Sequence, residues 1–238
     1  MSTKGIFLED LRVFASPFPK RRLGKRNDGG YVICEGLEYD CFLSGGIATD
    51  ISFEEEFLSL HPTLHCHAHD GTIARLPREN SRITFHKKNV GPANTDRTTN
   101  LASFLDEHRN IMLKLDIERG EYGWFSALHD RHLENIRQLV IEIHDPFTED
   151  RWRILSGIAK THWLVHFHPN NCCGIVEFFG TRIPKIFECT YIRKSDVRGQ
   201  LDLSNEPVPS AIDERNAQKK PDIQLFGHPF NQLTAPGL

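Results

Sequence analysis

Short apolar runs alternate with amphipathic stretches along most of this chain. Residues 39–44 (YDCFLS) form an apolar run stopped by Gly45-Gly46. Residues 53–60 then carry helical spacing, and Ser52 with Glu55 has the S-x-x-E spacing of a capping box. Compact runs at 64–69 and 82–90, bounded by Gly or Pro, read as two further strands. Residues 101–108 read as a helix leading into 111–116 (IMLKLD), and Phe125, Leu128 and Leu133 share a face of a helix predicted over 124–136. Residues 137–144 (RQLVIEIH) make the clearest buried strand, with a helix at 151–160 after it. Two strand-like runs, 163–168 and 186–192, have no obvious helix between them; residues 174–179 read as a strand or an extended loop.

Five strands, each followed by helical or crossover material, predict an α/β fold: a doubly wound, mostly parallel, Rossmann-like seven-stranded sheet with helices on both faces. The last two strands, joined without a crossover helix, predict an antiparallel addition at the end of the sheet. One domain is expected over 1–198, with a helical or turn-like lead-in. From residue 194 the chain becomes polar and Pro-rich. Ile223, Leu225, Phe226 and Phe230 predict that part of the 199–238 extension docks on the domain.

Composition changes this picture little. The 238 residues are 39% hydrophobic and 26% charged, ordinary for a globular chain, and the net charge of -3 disfavours a nucleic-acid partner. The basic run Lys20, Arg21, Arg22, Lys25 and Arg26 reads either as a solvated turn or as a loop facing phosphate or sugar. Residues 1–7 hold no apolar run suited to a signal peptide, and no stretch is long enough to span a bilayer, so a cytoplasmic protein with no membrane partner is expected. The six cysteines lack zinc-type spacing and read as reduced, mostly buried thiols, with packing the expected role even for adjacent Cys172 and Cys173.

Candidate chemistry gathers at strand ends, where sheets of this kind bind ligands. Gly45 and Gly46 close the first strand and allow close approach of backbone to a ligand. Asp70 closes the second, about 25 positions on, near the spacing at which an acid meets ribose hydroxyls. Asp116 ends the fourth strand, with Glu118 and Glu121 beyond it; Glu142 and His144 end the fifth. The chain has no G-x-x-x-x-G-K-[ST] cradle for a triphosphate and no full glycine fingerprint for a nicotinamide dinucleotide. S-adenosylmethionine carries no phosphate, so a short glycine turn with one ribose-binding acid suffices for it.

Taken in order, these motifs resemble those of FkbM-type methyltransferases, themselves of the seven-stranded kind. The resemblance lies in NDGGYVI (27–33), SGGIATDISFEEEF (44–57), HAHDGT (67–72), LKLDIERGE (113–121), LVIEIH (139–144), HFHPNN (166–171) and IPKIFECTYIRK (183–194), so it spans 27–194. Two positions depart from it: Arg119, where the family usually has glycine, and Ser44 at the head of the glycine motif. The resemblance implies S-adenosylmethionine-dependent methylation of a hydroxyl on a sugar, glycan or similar small acceptor. It implies cofactor contacts from Gly45, Gly46, Glu54, Asp70, Gly71, Asp116, Ile117 and Glu118. Acceptor contacts would come from Asp28, Tyr31, Glu121, Glu142, Asn170 and Asn171.

An activated sulfonium methyl requires mainly that the acceptor oxygen be aligned and relieved of its proton. Asp116, His144 and His168 are the candidates for that work, with His166 sharing a face of the sixth strand with His168. A divalent metal, if used, would take Asp116, Glu142 and His144; the sequence has no distinctive ligand spacing and does not favour one. The competing readings are a methyltransferase acting on a protein or nucleic-acid end, and a non-catalytic module that binds S-adenosylmethionine.

Overall fold

In chain order the elements of the computed structural model, which describes residues 5–234, begin with the antiparallel hairpin β1 (Lys20–Gly24) and β2 (Gly30–Cys34). There follow β3 (Cys41–Gly45), α1 (Ser52–Leu60), β4 (Cys66–His69), β5 (Ile83–His86), the two-residue strands β6 (Asn89–Val90) and β7 (Thr98–Thr99), and α2 (Ala102–Glu107). Then come β8 (Ile111–Leu115), α3 (Gly120–Ser126), α4 (Asp130–Asn135), β9 (Ile136–His144) and α5 (Glu149–Thr161). The last elements are β10 (His162–Pro169), the hairpin β11 (Ile175–Phe178) and β12 (Thr181–Pro184), and β13 (Ile186–Arg193). Residues 1–4, where the segment read as lacking a signal peptide begins, and 235–238, at the end of the extension, lie outside the described residues.

Seven strands form the central sheet in the order β10-β13-β9-β8-β3-β4-β5. The pairs β8–β9, β3–β8, β3–β4 and β4–β5 are parallel, whereas β13 runs antiparallel to both β9 and β10. Alternation along each strand divides the sheet into two faces. Leu43, Leu113, Leu115, Leu139, Ile141 and Phe187 face one core together with Leu105 of α2, Trp124 of α3, Leu133 of α4 and Trp152 of α5. On the other face Phe42, Ala68, Met112 and Val140 meet Phe53 and Phe57 of α1 and Leu23, Tyr31 and Ile33 of the β1–β2 hairpin.

That second face corrects the expected fold class. The sheet is mixed, and the described residues contain only five α-helices; a doubly wound arrangement with helices on both faces is not present. One nine-residue helix and a β-hairpin cover the face that a second helical layer would have covered. No helix joins β4 to β5, because 70–82 is a series of turns and bends containing Gly71 and Pro77. The helix expected over 124–136 is broken as well: α3 stops at Ser126, and α4 restarts behind a reciprocal cap between His129 and His132.

Other local expectations are also revised. Ser52 is the first helical residue of α1 rather than its cap, its hydroxyl hydrogen-bonding Asp50, while Glu55 pairs with Arg78, so the capping box does not form. Four cysteines, Cys34, Cys41, Cys66 and Cys189, are free and buried, but Cys172 and Cys173 are bonded to each other outside the core. Of the basic run, Lys20, Arg21 and Arg26 pair with Glu206, Glu35 and Glu214. Arg22 donates to the carbonyls of Lys25 and Asn27. Most of that run is therefore neutralised within the protein itself.

The segment after residue 199 packs into the main core. Leu203 bridges Phe14, Val208 bridges Leu225, and Val208, Ile223, Leu225 and Phe230 join the helix-covered core. The Phe230 ring lies 5.0 Å from that of Phe167 on β10. No helix among the described residues is long and apolar enough to cross a membrane. Because Phe230 is buried against the sheet, Phe230→Ala should lower the unfolding free energy by about 3 kcal/mol, the usual cost of an emptied aromatic site. Urea denaturation measures this, and an unchanged midpoint would mean that the extension adds nothing to the core.

Candidate functional site

Register brings the polar strand ends together. Gly45 pairs with both His69 and Leu115, and Leu115 pairs with Ile141, so the chain leaves β3, β4 and β8 at Gly46, Asp70 and Asp116 beside Glu142 of β9, which runs on to His144. The turns leaving this edge contain four non-glycine residues of positive φ: Ala48 (47°), Glu118 (51°), Arg119 (72°) and Asp145 (49°). Such backbone is strained for residues with a Cβ and gathers at functional sites. Arg119, the position where the resembling family has glycine, is itself left-handed, and its guanidinium bonds Asp145 across the turn.

The glycine turn has a packing reason of its own. Gly46 has φ of 79°, and a Cβ there would stand 1.6 Å from the Asp116 carbonyl oxygen. Gly46 is therefore required by the neighbouring strand, whatever the ligand. Asp70 holds the same turn. Its Oδ2 accepts from the amides of Ile47 (3.0 Å) and Ala48 (2.8 Å), and its Oδ1 accepts from the amide and hydroxyl of Thr72 (2.7 and 2.6 Å). Burial opposes charge on Asp70, but these donors outweigh it and bring the carboxyl below its usual range. Four donors therefore already meet this carboxylate.

Two adjoining cavities open around this turn. One, of about 130 Å³, is lined by charges of both signs, among them Lys25, Asp28, Asp50, Glu54 and Lys114. The other, of about 180 Å³, is lined by His69, Asp70, Val90, Ile117 and Glu118 among others. Gly46, Ala48 and Asp116 line both. Lys114 donates to the Gly46 carbonyl (2.7 Å) and lies 5.0 Å from the Tyr31 ring centre. Glu54 is buried and accepts from Ser44 (2.6 Å); its burial raises its pKa, with Lys114 opposing.

Behind Asp116 a row of buried polar groups crosses the sheet under the hairpin. Tyr31 donates to Asp116 Oδ2 (2.8 Å), and Asn170 donates to Glu142 Oε1 (2.8 Å). Glu188 pairs with Glu142 in register, and its Oε2 lies 3.0 Å from His168 Nδ1. His144 Nδ1 lies 3.2 Å from Glu121 Oε1, while its Nε2 faces Glu118 and Glu142 at 3.5 Å and Asp116 at 4.0 Å.

Charge is distributed unevenly along this row. Burial, then Asp116 and Glu188, push the Glu142 carboxyl well above its usual range. Burial also opposes charge on Asp116, yet Lys114, the neighbouring Glu142 and the hydrogen bond from Tyr31 keep it below the carboxylate range. Burial disfavours imidazolium at His144 and His168, but Glu121 raises the first and Glu188 takes the second to about 9.

Thus Gly46, Asp70, Asp116, Ile117, Glu118, Glu54, Asp28 and Tyr31 come together around the two cavities. Gly45 does not line them, its absent side chain making room for Leu115 and Val90, and Gly71 is turned to Asn89. Glu142 and His144 line neither cavity and stand behind Asp116, and His168, also away from both, pairs with Glu188 on β13. Two expected acceptor contacts are corrected. Glu121 is fully buried behind His144, and Asn171 clamps the extension through Ala217, Lys220 and Pro221. Sequence reasoning missed Lys114 and Glu188, whose signal was a charged residue inside an otherwise apolar run. It also missed Asp213 and Asn216, which reach His166 and Glu188 from the extension and had no local signal.

No family model, no curated protein and no solved structure matches the chain.

Two outcomes follow from this geometry. Asp70→Ala should destabilise the fold by about 3 kcal/mol, because charge-assisted bonds of roughly 1.5–3 kcal/mol each are lost and buried amides are left bare. Unchanged stability in urea would show that the turn does not rest on Asp70. His168 should titrate near 9 by NMR, and Glu188→Gln should bring it down, because burial then opposes the charge with only Asp213 left to favour it. The stabilisation from this raised pKa is complete below ~6.5 and is lost as pH rises through about 9. A midpoint near 6.5 in the unaltered protein would remove the ion pair.

Proposed function

We propose that this chain is an S-adenosylmethionine-dependent O-methyltransferase acting on a hydroxyl of a sugar, glycan or similar small acceptor. The observation that carries the reading is the pair of cavities that meet at Gly46, Ala48 and Asp116, with buried titratable groups behind their junction. The cavity lined by Lys25, Asp28, Asp50, Glu54 and Lys114 suits the ammonium and carboxylate of a methionine end. The cavity bearing His69, Val90 and Ile117 suits a nucleoside. The motif order supports the same chemistry. The buried free thiols and the net charge of -3 suit a cytoplasmic enzyme with a small acceptor rather than nucleic acid.

In this reading the acceptor oxygen attacks the sulfonium methyl, the carbon–sulfur bond breaks, and the pair of electrons stays on a neutral thioether. The acceptor's proton must leave during that step. Asp116 is the carboxylate that faces both cavities, so it accepts a hydrogen bond from the acceptor hydroxyl and takes up its proton as the carbon–oxygen bond forms. His144 and Glu142 stand behind it and tune its charge. Asp70 keeps the turn in shape, and ribose contacts fall to Glu118 and to backbone at Ala48.

Asp116→Asn should then lower methyl transfer about a hundredfold or more, and His144→Ala should lower it by a similar order. Calorimetric affinity for S-adenosylmethionine should stay within a few-fold of the unaltered protein in both. The assay is transfer of labelled methyl to a panel of monosaccharides, glycans, RNA and peptides. Failure of the unaltered protein to bind S-adenosylmethionine would remove the reading. Binding without transfer to any acceptor would leave a non-catalytic module.

A further inference from the structure

We infer that Asp116, Glu142 and His144 form a binding site for one divalent cation, buried behind the junction of the two cavities. One ligand atom from each of these residues lies within 4.8 Å of the other two. The side chains of Glu142 and His144 are 7% and 4% exposed. Asp116 Oδ1 is buried and has no hydrogen-bond partner. The inference concerns these side chains alone and does not depend on the proposed methyl transfer.

Three observations distinguish a cation site from an ordinary ion pair. First, the spacing is wrong for hydrogen bonds. A proton on His144 Nε2 shared with a carboxylate would draw an oxygen to about 2.7–2.9 Å. Instead Glu142 Oε2 stands at 3.5 Å and Asp116 Oδ1 at 4.0 Å. Atoms each bound about 2.1 Å from one ion stand roughly 3–4 Å apart.

Second, the imidazole is oriented as in carboxylate–histidine–metal arrangements. Glu121, fully buried, meets Nδ1 at 3.2 Å and also accepts the His144 backbone amide at 3.1 Å, so Nε2 is directed at Asp116 and Glu142. Third, four carboxylates, Asp116, Glu118, Glu121 and Glu142, lie within 4.0 Å of a single imidazole. Burial and its neighbours favour a neutral Glu142, and a doubly charged ion would take the place of that proton among these oxygens. Glu118, on the exposed turn after Asp116, has the freedom to supply a further oxygen. One nitrogen with carboxylate oxygens and water suits manganese or a similar first-row ion better than a soft, thiolate-seeking one.

The test is titration of the chelator-treated, full-length protein with Mn²⁺, following loss of the free-ion electron paramagnetic resonance signal. One saturable ion per chain is expected, with a rise in thermal midpoint that grows with Mn²⁺ concentration. Glu142→Gln keeps the shape and the Asn170 contact, and should weaken binding at least tenfold; His144→Ala should do the same. Circular dichroism of each variant checks that it is folded. Absence of saturable binding in the unaltered protein would overturn the site and leave Asp116 and Glu142 sharing a proton. Undiminished binding in both folded variants would overturn it too, by locating the ion elsewhere. The same samples titrated with S-adenosylmethionine separate the two claims: an ion bound without the nucleoside keeps the cation site and removes the methyltransferase reading.

Discussion

Asp116, just past β8, and the buried Glu142 of β9 stand side by side near the β1–β2 hairpin, and they cannot both be charged without something positive close by. Two like charges about 4 Å apart repel by on the order of 4 kcal/mol at an effective dielectric near 20. The neighbouring groups answer that constraint. Lys114 presents an ammonium to Asp116, Tyr31 donates a hydrogen bond to it, and burial pushes the Glu142 carboxyl up. Glu188 adds a third carboxylate to the row and is compensated by His168, and Asp213 meets His166 one strand pair further on. Beside the apolar core that α1 and the hairpin form on their face of the sheet, a polar seam runs under the β1–β2 hairpin.

The same constraint explains why the extension after residue 199 is part of the structure. Asp213 and Asn216 satisfy His166 and Glu188, and Asn171 binds three carbonyls of the returning chain. Phe230 and Leu225 anchor this segment in the apolar core on the opposite side. Hydrophobic burial fixes where the segment lies, and buried hydrogen bonds fix its register over the seam. Strained turns at Ala48, Glu118, Arg119 and Asp145 persist because the strands that carry them are pinned on both sides.

Much of the strand framework was legible in the chain. Runs such as LVIEIH and IMLKLD are apolar because their strands are covered on both faces, and their polar last residues mark the edge where the cavities open. Lys114 and Glu188 were legible in principle, since a charge within such a run is rarely buried without a partner. Asp70 shows the limit of spacing arguments. Its distance from Gly45 fits a ribose-binding acid, but only coordinates show its carboxylate already met by Ile47, Ala48 and Thr72.

By itself the sequence marked the strands of the central sheet but not the β1–β2 hairpin, and it determined that the last strand pair reverses direction and that carboxylates and histidines stand at adjoining strand ends. Local periodicity suffices for this, because a strand's side chains alternate whatever it later packs against. Only the tertiary structure decided what covers each face, since an apolar stripe does not record whether a helix or a hairpin will meet it. It alone decided that Gly46 yields to the Asp116 carbonyl, that Glu121 turns inward to His144, and that Asn171 holds the extension rather than a ligand. Those outcomes depend on atoms far apart in the chain, and the competition among them for a few buried hydrogen bonds is settled only once the sheet has closed over them.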